Sequence, residues 1–268
     1  MTNESVFGAN RPYQSWGTDK PGHIVFLVDL SGSMEDKIDY VIKALQSTCE
    51  NIVAHCWSGS EVKDRVSVSI YGYNYHLIEL LKANGPELAN KLVEVGDLPI
   101  FDKTKEAKPE YQTCMKLAFD KAQEDVKEWI AKQEAEGRKR VSAPIVINIT
   151  DGEPYEGDNI SQQEVFAKTK KSAQDLMNIS TKDGNVRIFN VHYDLQTQDP
   201  SLSFPTSQPT INDNMAFLYQ ISSPMYEDLV KSAQAYGFTN AVVGAHCMLS
   251  NEKDPDQVAH FIEWGSSK

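Results

Sequence analysis

Apolar residues along this chain follow two spacings, one typical of buried strands and one typical of amphipathic helices. Residues 23–29 read HIVFLVD, and this unbroken apolar run is typical of a strand buried on both faces. Residues 34–53 then carry apolar side chains at three- and four-residue steps, which indicates a helix with one buried face. The two spacings recur to the end of the chain, so strands and helices are expected to alternate.

Six strands and six helices are predicted in this way. The strands are expected at residues 23–29, 66–71, 76–81, 144–150, 186–193 and 241–248. The helices are expected at residues 34–53, 86–95, 161–180, 225–236 and 255–264, with a further long helix that begins near residue 113 and ends before residue 137. The strand at 76–81 follows a turn and is expected to return antiparallel at the sheet edge.

This order predicts an α/β fold with a doubly wound, mostly parallel six-stranded sheet and one antiparallel edge strand. Residues 1–21 are polar without a period, and they are interpreted as an N-terminal arm. Residues 22–268 contain no repeat and no linker, which favours a single domain. Within it, residues 194–223 are rich in Pro, Ser, Thr and Asn and are expected to form a long loop insertion.

Oxygen-bearing side chains follow directly after two of the predicted strands. Asp29, Ser31 and Ser33 alternate in the segment DLSGS, and Asp151 follows the strand at 144–150. Ligands of open α/β sheets bind beyond the carboxyl ends of the strands, so these side chains are expected to converge. Carboxylates and hydroxyls are hard ligands, which Mg²⁺ and Mn²⁺ prefer.

The D-x-S-x-S pattern resembles the metal-ion-dependent adhesion site of von Willebrand factor A (VWA) domains. The family combines this motif with a lone Thr before the second long helix and an Asp after the fourth strand, often as T-D-G. The resemblance implies that hydroxyls of three residues bind the ion directly and two carboxylates bind it mainly through waters. These residues are Ser31, Ser33 and Thr113, and then Asp29 and Asp151.

The third hydroxyl of this set has one competitor in the sequence. Thr104 is the competitor of Thr113, but it lies too far before the helix. The family often has Gly-Gly before the Thr, whereas this chain has Tyr111 and Gln112, which are bulkier and could shape the rim of the site. The residues expected at a partner-binding rim are Met34, Glu153, Tyr111 and Gln112.

The resemblance implies a protein-binding module rather than an enzyme. A bound Mg²⁺, or Mn²⁺ or Ca²⁺, would be completed by an Asp or Glu of a partner protein. The alternative is a Mg²⁺-dependent phosphoryl hydrolase that uses nearby carboxylates. Hydrolases on such sheets usually carry D-x-D, and no Lys or Arg is expected beside the motif to hold phosphate. A plain helix N-cap at D-x-S-x-S is a further interpretation, since Asp and Ser are favoured caps.

Charge and cysteine content limit the partners and the compartment. The formal net charge is −12, which disfavours nucleic acid and anionic membranes as partners. No apolar stretch approaches the ~20 residues needed to span a bilayer, and no signal peptide is visible. The four cysteines show no C-x-x-C spacing, and a reducing cytoplasm is expected. None of the histidines has metal-ligand spacing, and His192 is expected to be a satisfied core or rim residue.

Three segments are similar to a bacterial cytoplasmic VWA subgroup found in stress and tellurite-resistance-like gene clusters. They are IVINITDGEP at 145–154, Trp129 with Ile130, and Phe204 with Pro205. The subgroup is often encoded beside a protein kinase and a metal-dependent protein phosphatase. The resemblance implies an adaptor role in bacterial stress response or defence, with one of those enzymes as a candidate partner.

Overall fold

The computed structural model describes residues 16–95, 112–138 and 140–267. Most of the predicted arm, and most of the segment that precedes the second long helix, lie outside the described residues. The same holds for Thr104 and Tyr111.

The long strands and helices follow one another largely in the order that the apolar spacing predicted, and several two-residue strands and one additional helix lie between them. The strands are β1 (Gly22–Asp29), β2 (Trp57–Ser58), β3 (Glu61–Val62), β4 (Val66–Tyr73), β5 (Leu77–Asn84), β6 (Ile145–Thr150), β7 (Ser180–Thr181), β8 (Gly184–Asn185), β9 (Arg187–Tyr193), β10 (Leu202–Ser203) and β11 (Met248–Glu252). The helices are α1 (Ile38–Cys56), α2 (Gly85–Val95), α3 (Met115–Ala135), α4 (Gln162–Met177), α5 (Asp213–Gln220), α6 (Glu227–Ala235) and α7 (Pro255–Ser266), and a short 3₁₀ helix (Gly32–Met34) precedes α1.

The central sheet has the order β10-β11-β9-β6-β1-β4-β5. Its inner strands are parallel, and β5 returns antiparallel beside β4 at one edge, which confirms the predicted α/β class. The sheet has seven strands rather than six, because the short strand β10 adds a second antiparallel edge beside β11.

The last strand lies later in the chain than the apolar run indicated. The run at 241–248 does not form a strand over most of its length, and β11 begins only at Met248. Gly244 has a positive φ of 85°, and Val242 and Val243 are exposed in the turn that it makes. A left-handed glycine interrupts an extended run, so the apolar residues before it belong to a turn.

The predicted loop insertion at 194–223 also contains regular structure. It holds β10 and helix α5, whose Met215, Phe217 and Leu218 are buried against the sheet. The polar composition of the segment hid these three apolar residues, which lie on one helical face. The prediction of a continuous loop is therefore wrong for residues 213–220.

Two apolar layers enclose the sheet, and β1 contributes to both. Ile24, Phe26 and Val28 belong to one cluster, together with residues of α1 and α7, whereas Val25 and Leu27 belong to the other, with residues of α3 and α4. Successive side chains of a strand point to opposite faces, so a strand covered on both sides needs an unbroken apolar run. This burial holds the end of β1 firmly in the middle of the sheet.

A charged network is buried near the start of β1. His23 Nε2 lies 3.0 Å from Asp125 Oδ2, and both side chains are almost fully buried. Lys82 of β5 brings its Nζ within 2.6 Å of the other oxygen of Asp125. The indole ring of Trp129 stacks on the His23 ring at a centroid distance of 5.1 Å. These contacts join α3 to β1 and β5 at the end of the sheet opposite to Asp29.

Among the described helices, none combines the length and the apolar character needed to cross a membrane.

Candidate metal centre

The buried carboxylate of Asp29 is held between the ends of β1 and β6. Asp29 pairs in register with Tyr73 at the end of β4, and its side chain is fully buried. Its Oδ1 accepts a hydrogen bond from the Ser31 backbone N–H at 2.9 Å. Its Oδ2 accepts from the Thr150 hydroxyl at 2.7 Å. Thr150 thereby fixes the orientation of the carboxylate, a role that the sequence did not indicate.

Burial makes the negative charge on Asp29 unfavourable. Desolvation raises the pKa of this carboxyl to about 6, and the nearby charge of Asp151 acts in the same direction. The hydrogen bonds from Thr150 and Ser31 lower the pKa, but they offset only part of the rise. A cation close to Asp29 would stabilise the ionised form, so the site has a physical reason to attract one.

Ser31, Ser33 and Asp151 form a hydrogen-bonded chain beside Asp29. The Ser31 and Ser33 hydroxyls are 3.1 Å apart, and the Ser33 hydroxyl donates to Asp151 Oδ1 at 2.8 Å. Four of the five predicted ligands therefore meet at the carboxyl ends of β1 and β6. Their roles as metal ligands stay a prediction.

Lys37 joins this cluster, and the sequence interpretation missed it. Its ammonium donates to the Ser33 carbonyl at 2.7 Å and forms an ion pair with Asp151 Oδ2. The expectation that no Lys or Arg stands beside the motif is therefore wrong. The available signal was the spacing, because Lys37 follows Ser33 by four residues, and that distance corresponds to about one helical turn.

Thr113 lies at the same edge of the sheet, and its described hydrogen bonds are made by its backbone. Its N–H donates to the Tyr155 carbonyl at 2.9 Å, and the Tyr155 N–H donates back at 3.0 Å. The next residue, Cys114, donates its N–H to the carbonyl of Asn74, just beyond β4. The start of α3 is thus tied to the segments after β4 and β6. The assignment of Thr113 as the third hydroxyl remains a prediction.

His192 supports the backbone that carries Asp151. Its Nε2 donates to the Asp151 carbonyl at 3.2 Å, and its Nδ1 accepts from the Asn251 N–H at 3.1 Å. The Asn251 contact requires an unprotonated Nδ1, so the ring is neutral here. Burial lowers the pKa of His192, against the opposing charge of Asp194, which favours this neutral form. His192 is therefore a satisfied residue, as expected from the sequence.

The described residues of the predicted partner-binding rim differ in how far they are exposed. Met34 is only 1% exposed and packs in the core, because the 3₁₀ helix turns its side chain inward, so it offers no surface to a partner. Glu153 is exposed and accepts a hydrogen bond from Gln162 at 3.2 Å. Gln112 is half-buried and packs close to Gly157. Glu153 and Gln112 remain candidates for partner contact.

Exposed apolar side chains surround the same edge of the sheet. Tyr75 follows the end of β4, Leu195 follows the end of β9, and Leu117 lies in the first turn of α3. Tyr40, in the first turn of α1, is exposed as well. We refer to these four residues as the apolar rim. The sequence did not single them out, because exposure depends on where each strand ends and on which side of each helix faces the sheet.

The donor set fits a hard divalent ion. Within the described part of the chain, no group of three or more His, Cys, Asp and Glu side chains could hold a metal. A metal centre here therefore depends on serine hydroxyls as well as carboxylates, and Ser31 and Ser33 lie between Asp29 and Asp151. An all-oxygen set that is poor in charge suits Mg²⁺ or Mn²⁺, which retain several waters.

The packing of the D-x-S-x-S turn against β4 depends on Gly72. A Cβ at Gly72 would lie 2.3 Å from Leu30 Cδ1, so Leu30 packs where a side chain would otherwise stand. We expect Gly72→Ala to displace Leu30 and to lower the free energy of unfolding by about 1–3 kcal/mol, as overpacking does. Chemical denaturation measures this loss. An unchanged denaturation midpoint would show that the turn does not need this close approach.

The chain belongs to the von Willebrand factor type A domain family, whose family model matches residues 23–225. Domains of this family bind divalent metal ions and generally mediate metal-dependent adhesion between proteins. No curated protein matches the chain.

Several solved structures show some similarity to this chain. Manganese-loaded TRAP protein from Plasmodium vivax is 17% identical, with 66% of this chain and 60% of that chain covered and a TM-score of 0.39. The open pilus adhesin SpaC from Lactobacillus rhamnosus GG is 14% identical, with 64% and 24% covered and a TM-score of 0.41. An aerotolerance-related membrane protein from Bacteroides fragilis is 13% identical, with 91% and 98% covered and a TM-score of 0.43. The chain thus spans less than two thirds of the length of the first two proteins.

Proposed function

We propose that the protein is a metal-dependent protein-binding module. A divalent ion held at the ends of β1 and β6 is completed by an Asp or Glu of a partner protein. The observation that carries this proposal is the hydrogen-bonded cluster of Asp29, Ser31, Ser33 and Asp151. Thr113 is proposed as a further hydroxyl ligand, since its backbone is bonded to the segment that follows Asp151.

The charges of the cluster explain why an acidic partner is favoured. Asp29 and Asp151 supply two negative charges, and the Lys37 ammonium neutralises part of the charge on Asp151. A divalent ion in this setting keeps an excess of positive charge. A carboxylate from outside would neutralise this excess, and it is a hard oxygen ligand of the kind that Mg²⁺ accepts.

The apolar rim gives the same edge of the sheet a contact surface. Tyr75, Leu117, Leu195 and Tyr40 are exposed around the strand ends. Tyrosines at the centre of an interface commonly contribute much of its binding energy. We expect the partner to place its acidic residue on the ion and apolar residues on this rim.

The cellular setting is proposed from sequence resemblance alone. Segments such as 145–154 are similar to a bacterial cytoplasmic subgroup of stress and tellurite-resistance-like clusters. We therefore propose a cytoplasmic adaptor in bacterial stress response or defence, with a co-encoded kinase or phosphatase as partner. Co-purification of such an enzyme with the chain in Mg²⁺, and its release by EDTA, is the expected result. Retention of the enzyme in EDTA would contradict metal-dependent binding.

Metal binding is tested first by thermal unfolding in EDTA and in millimolar Mg²⁺ or Mn²⁺. Binding to the folded state stabilises it by about 2.7 kcal/mol at a hundredfold excess over Kd. We expect the metal to raise the unfolding temperature of the native chain and Ser31→Ala to lose most of this rise. Ser60→Ala is the matched control and should respond like the native chain, because Ser60 lies in the exposed turn between β2 and β3, beyond the end of α1 that is remote from Ser31. An equal response of Ser31→Ala and the native chain would place the metal elsewhere.

Partner chemistry is tested by selecting displayed peptides on the native chain in Mg²⁺ and in EDTA. We expect peptides with Asp or Glu to be enriched only in the presence of the metal. Enrichment that is independent of metal, or peptides that lack a carboxylate, would contradict the proposal.

A further inference from the structure

Lys37 places a buried positive charge inside the candidate metal centre. Its side chain is 4% exposed, and that of Asp151 is 2% exposed. The ammonium donates to the Ser33 carbonyl at 2.7 Å and pairs with Asp151 Oδ2, and a more exposed carboxylate, Asp36, lies 3.6 Å away. Burying a charge is costly unless the charge is paired and hydrogen-bonded, and both contacts are present here.

The two oxygens of Asp151 are both engaged without any external ion. Ser33 donates to Oδ1 at 2.8 Å, and Lys37 occupies Oδ2. A divalent ion that draws on the charge of Asp151 must therefore share it with the ammonium. Two cations at one buried carboxylate repel each other, and the repulsion is poorly screened in a buried setting.

We propose that Lys37 is an intramolecular cation that competes with the divalent ion for Asp151 and so keeps the metal affinity of the free centre low. This inference rests on the proposed function, because it assumes that the cluster binds a metal. It adds that the chain itself holds a competing charge, one helical turn beyond the motif.

The competition also couples metal binding to partner binding. When the ion and Lys37 are both present, the centre carries more positive charge than Asp29 and Asp151 neutralise. A carboxylate from a partner removes this excess, so the ion binds more tightly once the partner has arrived. By linkage, the ion strengthens partner binding by the same factor.

A purely structural ion pair would behave differently. If Lys37 only stabilised the fold, its removal would lower stability and would loosen or leave unchanged the binding of the ion. If Lys37 competes with the ion, its removal lowers the stability of the metal-free chain and tightens metal binding. The two measured quantities then move in opposite directions, which separates the two roles.

The test compares Lys37→Met with the native chain in Mn²⁺ titrations followed by the paramagnetic resonance of free Mn²⁺. Met keeps an unbranched apolar side chain in the place of the lysine stem. We expect the Kd for Mn²⁺ to fall at least tenfold. In EDTA, we expect the variant to unfold at a lower temperature, because Asp151 loses its partner, and to regain stability when Mn²⁺ is added.

Matched variants complete the comparison. Lys43→Met removes one exposed positive charge from α1, the helix that begins directly after Lys37, and should leave the Mn²⁺ affinity near that of the native chain. Lys37→Arg keeps the charge and should bind Mn²⁺ no more tightly than the native chain. Lys37→Gln, also neutral, is measured in parallel so that the result does not depend on the folding of one variant.

The outcomes distinguish this inference from the proposed function. If the native chain binds Mn²⁺, and Lys37→Met and Lys37→Gln bind it equally well or more weakly, the competition is overturned. The proposal of a metal centre is unaffected by this outcome. An equal gain in Lys43→Met also overturns it, because general charge would then explain the effect. Absence of Mn²⁺ binding in the native chain and in all variants overturns both proposals.

Discussion

Replacing Asp125 by Asn is expected to lower the free energy of unfolding by about 3–5 kcal/mol, the usual effect of breaking a buried ion pair by removing one partner. Asp125 lies between His23 Nε2 at 3.0 Å and Lys82 Nζ at 2.6 Å. An amide removes one of the two carboxylates beside Lys82, which keeps its pair with Glu128, and it leaves the almost fully buried His23 without its carboxylate partner. For a domain of this size, we expect the midpoint of thermal unfolding to fall by roughly 10 °C.

The pH dependence of unfolding gives a second readout for Asp125. Burial by itself raises the pKa of this carboxyl, but the bonds from His23 and Lys82 outweigh it and hold the pKa well below its ordinary value of 3.8. The stabilisation is therefore fully present above the ordinary value and is lost as the pH falls below it. Denaturant titrations between neutral pH and acid should show this loss in the native chain and a flatter profile in Asp125→Asn.

Asp175→Asn is the control for the loss of one carboxylate. Asp175 pairs with Lys171 on the surface of α4, where an i,i+4 pair contributes only about 0.3–0.5 kcal/mol. An Asp125→Asn variant that is no less stable than Asp175→Asn would refute the importance of the buried network.

Replacing Asp29 by Asn is expected to stabilise the metal-free chain and to abolish its response to metal. The pKa of Asp29 rises from its ordinary value of 3.8 to about 6. This rise means that folding disfavours the charged carboxylate by about 3 kcal/mol at most. A neutral amide avoids this penalty, so we expect a gain of about 1–3 kcal/mol at pH 8 in EDTA. Denaturation in EDTA and in millimolar Mg²⁺ measures both effects.

The size of the Asp29 effect depends on pH in a defined way. A carboxyl whose folded pKa is raised favours the fold at low pH, and this contribution is lost as the pH rises through about 6. The stability advantage of the Asp29→Asn variant over the native chain should therefore be largest above pH 6 and shrink towards pH 4. An advantage that is constant over this range would show that packing rather than charge is responsible.

Asp151→Asn provides a matched control for Asp29→Asn. It removes one carboxylate from the same cluster, but this carboxylate is the partner of the buried Lys37. We expect it to destabilise the metal-free chain, whereas Asp29→Asn stabilises it. Effects of the same sign in both variants would contradict the different roles that the hydrogen bonds assign to the two residues.

The sequence predicted the parts of the site that depend on local order. The unbroken apolar run of β1 predicted that this strand is buried on both faces. β1 and β6 are both buried in this way and end at the same edge of the sheet, where Asp29 and Asp151 lie. The hydroxyls of Ser31 and Ser33 were found because their spacing is a property of a single turn. These features need no knowledge of distant segments.

The parts that were missed depend on tertiary contacts. Lys37 acquires its role only because β6 delivers Asp151 beside it, at a separation of 114 residues. Met34 was assigned to the rim from its position next to the motif, but the 3₁₀ helix turns it into the core. The apolar face of α5 was hidden in a polar segment, and the start of β11 was displaced by the turn at Gly244. In each case the outcome was decided by what the residue packs against.

The two edge strands of the central sheet determine whether a strand of another chain can pair with it. One border is β10, with only two residues, and the other is β5, whose Glu79 and Lys82 are exposed. Short edge strands and charged edge side chains both discourage the addition of a foreign strand. Self-association through continued sheet pairing is therefore disfavoured at both borders, and the metal-dependent contact that we propose lies away from them, at the loops above Asp29.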